Sequence, residues 1–255
     1  MLGFIRDWLD QRTIARSTIT PQQWSIAFAS LPLLRGLSES ELGRLQELVI
    51  LFLHRKVFEG AQGLIVTEAM KHTIAIQACL PILNLDLDCY DNWYSIIVYP
   101  AGFAPKRTVT DEYGVEHQDI SGLSGESWQR GPVILSWNDS EHAGNIDGHN
   151  VVIHEFAHKL DMQNGVANGF PPLHADMHRA AWVKALSEGF EDFQRQCSHG
   201  RHSEIDCYGA SAPAEFFAVL SEVFFERPGV LHRHYPDIYS QFKLYYKQDP
   251  LLRLN

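Results

Sequence analysis

Cysteine is scarce: Cys79, Cys89, Cys197 and Cys207 are the only four in 255 residues, and no two stand in C-x-x-C spacing. That is too few for a disulfide scaffold at this length, so the expectation is reduced, half-buried thiols. No cluster of roughly five to eight Lys and Arg residues occurs, and 21 Lys+Arg against 31 Asp+Glu leave a formal charge of −10. A net field of that sign repels phosphate backbones and anionic lipid, which argues against direct nucleic-acid or membrane-surface binding without a local basic patch. Long apolar runs are absent too. Stretches such as Leu48 to Leu53 fall far short of the roughly eighteen residues that span a bilayer. Arg6 and Asp7 interrupt Met1 to Leu9, where a signal peptide would be continuously apolar. The expected compartment is the cytoplasm. Repeats and low-complexity tracts are also missing.

What is present is a composition of 45% hydrophobic and 20% charged residues, which can build a sizeable core. Thirteen histidines are about twice the usual share. Histidine is the commonest metal ligand and general base, but a count assigns no role.

Punctuation and periodicity predict a mostly helical start. Thr20-Pro21 is an N-cap with Pro at the first helical position, and Trp24, Phe28 and Leu31 continue it to Pro32. Ser38 and Glu41 have capping-box spacing ahead of an apolar stripe at Leu42, Leu45, Leu48, Val49 and Phe52. Thr67 to Leu80 is a third helical candidate. After Pro81 the pattern changes: YSIIVY (residues 94–99) and PVILSW (132–137) read as buried strands, with hairpin and loop over Thr108 to Arg130. Helical patterns return over Asn150 to Met162, Met177 to Gln196, Pro213 to Glu226 and around Ile238 to Tyr246. This is an α+β order of elements. We expect a mainly helical portion over 1–85, which need not fold alone because no linker marks its end, and a catalytic domain over 86–255.

Residues 154–158 spell H-E-x-x-H. On a helix, positions four apart share a face, so His154 and His158 can aim at one ion with Glu155 beside them. Val152, Ile153, Phe156, Ala157 and Leu160 supply an apolar stripe at helical spacing, and Asp147 with Gly148 or Asn150 offers a start. A catalytic zinc takes three protein ligands and keeps an open position. The metzincin pattern is excluded, since it needs Gly at 161 and His at 164 where the chain has Asp161 and Asn164. Asp161 is two turns from His154, about 10 Å on a straight helix. It therefore reads either as a group accepting an imidazole N–H or as a solvent-facing residue near the helix end.

The best third ligand is Glu215. PAEFFAVLSEVFF (213–225) is strongly apolar, with Glu215 and Glu222 its only charges, and buried carboxylates need partners. Glu215 can ligate the metal or simply favour the helix N-terminus. Glu222, two turns deeper, can orient a ligand histidine or pair with another polar group.

With these motifs, Gly131 to Gly169 and Pro213 to Pro228 resemble the Mlc titration factor A family of bacterial zinc peptidases, over nearly the whole chain. The catalytic part of that family is similar to the anthrax lethal factor peptidase domain, a zincin of gluzincin type. The resemblance implies Zn2+ on His154, His158 and Glu215, with Glu155 as catalytic base. It also implies that Tyr208 steadies the oxyanion; on the sequence alone Tyr208 reads as a packing residue near Gly209. It further implies a cytoplasmic, aminopeptidase-like enzyme acting on small peptides. The implied partner is the transcriptional repressor Mlc, which links the protein to control of glucose phosphotransferase genes. A binding protein that sequesters the repressor, with a structural or vestigial zinc site, is the alternative. In zincins the strand before the active-site helix pairs with substrate, a place that Pro132 to Trp137 occupies here.

Overall fold

Side-chain caps start the early helices. In the computed structural model, which describes residues 2–102, 107–110, 116–119, 125–127, 131–199 and 203–254, helix α1 (Leu2–Ala15) is followed by α2 (Pro21–Ala29). Thr20 and Gln23 cap each other's backbone N–H at the start of α2. Ser38 and Glu41 do the same for α3 (Glu39–Arg55), and the Thr67 hydroxyl accepts from Met70 N–H to start α4 (Glu68–Cys79). Each cap satisfies donors that a helix end would otherwise leave orphaned.

Strand β1 (Val57–Gly60) lies between α3 and α4, and β2 (Ser95–Tyr99), β3 (Arg107–Thr110), β4 (Glu116–Asp119), β5 (Gly125–Ser127) and β6 (Val133–Ser136) follow. The main sheet has the order β1-β2-β6-β5, with β1, β2 and β6 parallel and β5 antiparallel to β6. Strands β3 and β4 form a separate antiparallel pair, as the expected hairpin requires; within the loop expected over Thr108 to Arg130, Gly125–Ser127 is instead strand β5, and the remainder of that segment lies outside the described residues. Pro132 to Trp137 does not serve as a free pairing edge. Strand β6 is hydrogen-bonded to β2 on one side and to β5 on the other, so its backbone groups are already used. Strand β1 was not foreseen, because VFEG continues directly from α3 with no turn residue between them.

The remaining helices are α5 (Trp137–His142), α6 (Val151–Asp161), α7 (Arg179–Ser198), α8 (Pro213–Glu226), α9 (Pro228–His234) and α10 (Pro236–Tyr246). Helices and a small mixed sheet make an α+β fold. One hydrophobic core runs through it on both sides of residue 85: the Phe52 ring of α3 lies 5.6 Å from Phe156 of α6, and Tyr90 lies 5.0 Å from Phe156. No described helix is long and apolar enough to cross a membrane.

The thiol expectation fails for two of the four cysteines. Cys197 at the end of α7 and Cys207 at the start of a 3₁₀ turn (Cys207–Ala210) form a disulfide, their Cα atoms 5.7 Å apart. The chain turns back between them and brings the two residues within bridging distance, which a separation of ten in sequence does not reveal. Cys79 is a buried free thiol and Cys89 a half-buried one.

Candidate metal centre

Helix α6 has two faces with different tasks. Val152, Ile153, Phe156, Ala157 and Leu160 are all fully buried, and the opposite face turns the two histidines toward α8. Of the start signals, Asn150 is the one used: its side-chain oxygen accepts from Ile153 N–H at 2.9 Å, while its amide donates to Gln77 Oε1 and Glu226 Oε1, both at 2.8 Å. The motif therefore sits on a helix whose first turn is fixed from three directions.

Helix α8 brings a row of carboxylates to this face. Glu215, in its first turn, places Oε2 at 3.0 Å from His154 Nε2 and 3.3 Å from His158 Nε2. Ligand atoms of His154, His158 and Glu215 all lie within 4.8 Å of one another. Two imidazole nitrogens and one carboxylate oxygen this close together could hold a divalent metal ion, and they match in type the three-ligand sets that leave a metal one open position. Glu222 Oε1 lies 2.7 Å from His154 Nδ1, and its Oε2 accepts from Asn150 N–H at 2.5 Å. A carboxylate on Nδ1 fixes the imidazole with that proton in place and leaves Nε2 free to ligate. Glu222 thus ties the orientation of His154 to the start of α6.

Glu226, one turn beyond Glu222, was not foreseen. It is fully buried and accepts from Gly144 N–H at 2.9 Å and Gly148 N–H at 3.0 Å as well as from Asn150. Both glycines have φ near +90°, a conformation that a Cβ disfavours. The available signal was the spacing, four residues from Glu222 on the same stripe of an otherwise apolar helix.

Glu155 is buried, next in sequence to His154 of that cluster, and its Oε2 has no hydrogen-bond partner. Burial raises its carboxyl to about 7 against the lowering effect of His154 and His158, a value suited to exchanging a proton near neutrality. Burial disfavours charge on both His154 and Glu215, but hydrogen bonds outweigh it: those to Glu215 and Glu222 hold His154 well above the ordinary imidazole range, and those to His154 and His158 hold Glu215 well below the carboxylate range. Tyr208, in the 3₁₀ turn, is half exposed, with its ring centroid 6.0 Å from that of His154. It lines one cavity with His154 and Glu155.

Asp161 is found elsewhere in its hydrogen bonding. Its Oδ2 accepts from the N–H groups of Asn168 and Gly169, both at 2.7 Å, which anchors the loop after α6. Its Oδ1 and His158 Nδ1 are both buried without a hydrogen-bond partner.

With this geometry in view, the whole-chain comparison becomes decisive: the model of the glucose-regulated metallo-peptidase M90 family matches residues 5–247. The chain belongs to that family. Among its relatives, Mlc titration factor A of Serratia proteamaculans is 40% identical over 238 residues, covering 92% of this chain and 90% of the relative. Mlc titration factor A of Yersinia pestis is 39% identical over 235 residues, covering 91% and 86%. Membership of the M90 family makes this a metallopeptidase-like protein and implies a divalent metal, with which the cluster of His154, His158 and Glu215 is compatible.

Proposed function

We propose that the protein is a zinc-dependent peptidase of gluzincin type, aminopeptidase-like in action, with a zincin catalytic fold over 86–255. The convergence of His154 Nε2, His158 Nε2 and a Glu215 oxygen, with an unpartnered Glu155 oxygen beside them, carries this reading. Zinc held by these three donors would supply Lewis acidity, lowering the pKa of water toward about 7 and polarising a carbonyl. Glu155 takes the proton from the attacking water at Oε2 and passes it to the departing amine. Tyr208 donates its hydroxyl hydrogen to the oxyanion that develops on the carbonyl oxygen. Glu222 holds His154, and Asp161 acts further out, through the loop it anchors.

The test separates metal from proton transfer. Glu155→Gln should keep zinc by elemental analysis and lose peptide turnover, whereas His154→Ala should lose the zinc. Peptide cleavage by Glu155→Gln at the wild-type rate would sink the assignment of the base.

The relatives' name, Mlc titration factor A, supports a second reading: contact with a repressor of the Mlc kind, through which the protein would act on glucose phosphotransferase genes. The two readings are compatible in one molecule. Pull-down of purified repressor with Glu155→Gln assigns the biology to contact if binding survives without peptidase activity. A cytoplasmic setting goes with this partner. Bridges such as Cys197–Cys207 are rare in reducing compartments, so thiol state in the cell bears directly on that address.

A further inference from the structure

Beside the metal cluster lies a cavity of about 480 Å³ that opens onto His154, Glu155 and Tyr208. Apart from His142, His149 and His154, its ionisable lining is acidic. Five carboxylates line it, Asp139, Asp147, Glu155, Asp206 and Glu222, and no Lys or Arg does. Glu222 is committed to His154 and Asn150, and Glu155 is the base. Three carboxylates remain, and none has a Lys or Arg partner among the described residues. Asp206 uses one oxygen to accept from Tyr208 N–H at 2.9 Å, and its other lies 3.7 Å from His149 Nδ1. Asp147 accepts only from the backbone of His149, and Asp139 only from the Asn138 amide at 3.4 Å. Ala143, Val151 and Val219 add apolar surface to the lining, beside the Tyr208 ring. A second observation concerns the same wall: Glu155, 4% exposed, lines the cavity and leaves Oε2 without a hydrogen-bond partner.

Apolar surface together with carboxylates that have no Lys or Arg partner matches a long aliphatic stem with a cationic head. We propose that this cavity is a subsite for a lysine or arginine side chain of the peptide substrate, next to the bond positioned at the metal cluster. The inference rests on the peptidase reading for the identity of its ligand. The side chain fits better than a bare α-ammonium, because three apolar residues would have nothing to cover on an amine alone. An acidic residue in this place meets like charge and loses its hydration without compensation.

Binding and cleavage are measured separately. Zinc-loaded Glu155→Gln is titrated with fluorescent alanine pentapeptides that carry one lysine, norleucine or glutamate at each position in turn, with free or acetylated N-termini. At one position lysine should bind roughly tenfold more tightly than norleucine at low salt, and glutamate more weakly than either. The lysine preference should shrink as salt rises, because the lining carboxylates are open to solvent. It should approach unity in the triple variant Asp139→Asn, Asp147→Asn, Asp206→Asn, with zinc content serving as the folding control. If that variant fails to fold, Asp139→Asn and Asp147→Asn singly should each reduce the ratio. A ratio near one at every position, or a ratio unchanged by these variants, overturns the proposal. So does a preference cancelled wholly by N-acetylation, which would assign the carboxylates to the α-ammonium. Ordered binding with no cleavage by the zinc-loaded wild type would refute the peptidase reading and leave the subsite standing. Cleavage without the order would do the reverse.

Discussion

At the scale of single residues, the site depends on groups that hold other groups still. His154 can ligate only through the nitrogen that Glu222 does not occupy, and Glu222 is itself fixed by Asn150 N–H. Replacing Glu222 by Gln removes the charge that makes Nε2 a stronger donor and leaves the amide free to present the wrong end. Zinc affinity, read by competition with a chelating dye, should fall about 10- to 100-fold. Unchanged affinity would mean that the imidazole is oriented by packing alone. Lys56 shows a buried charge held differently. Its ammonium donates to the Tyr90 and Trp93 carbonyls and lies 3.7 Å from the Trp93 ring centroid. Burial lowers its pKa to about 8, below the value of about 10.4 in an unfolded chain. The folded state thus carries a cost for charging Lys56 below pH 8, and that cost disappears as pH rises to the unfolded value. In urea unfolding, the stability of wild type relative to Lys56→Met should increase between pH 8 and about 10.4. A pH-independent difference would exclude this group.

At the scale of elements, α6 and α8 form the chemical core as a pair, one carrying histidines and the other carboxylates at residues 215, 222 and 226. The 3₁₀ turn that brings Tyr208 to them is pinned to α7 by Cys197–Cys207. Under denaturing, non-reducing conditions alkylation should label two cysteines, Cys79 and Cys89, and after reduction all four. Reduction should also lower stability by about 2–3 kcal/mol, the loop-closure value for a short bridge. Labelling of four without reductant would show that the bridge does not form. The cluster of His154, His158 and Glu215 was approachable from the sequence because each residue lies on a helix with its own signals, the spacing and stripe of α6 and the apolar context of Glu215; capping boxes likewise marked α2 and α3. What escaped was set by three-dimensional approach. The disulfide needs a chain reversal, Glu226 finds its partners in a glycine-shaped loop, and the interior place of β6 depends on β5, a strand of only three residues.

For the whole molecule, the same distinction decides whether residues 86–255 can stand alone. The notional boundary near residue 85 leaves the N-terminal portion responsible for β1, which pairs in parallel with β2 over four residues. It also supplies Phe52, whose ring centroid lies 5.6 Å from that of Phe156 on the back of α6, and Gln77, which accepts from the Asn150 cap. Leu33 N–H bonds Gly144 O, and the Arg253 guanidinium returns from the far end of the chain to the Leu33 carbonyl. Deleting 1–85 therefore exposes β2, uncovers the apolar back of α6 and removes one of the groups that fix its start. Large apolar truncations at such contacts each cost several kcal/mol, and a domain has only about 5–15 kcal/mol to lose. We expect the 86–255 fragment to be aggregated or molten, with no dispersed amide spectrum and no zinc retained after dialysis. A folded fragment with one equivalent of zinc would instead establish the N-terminal helices as a separable module.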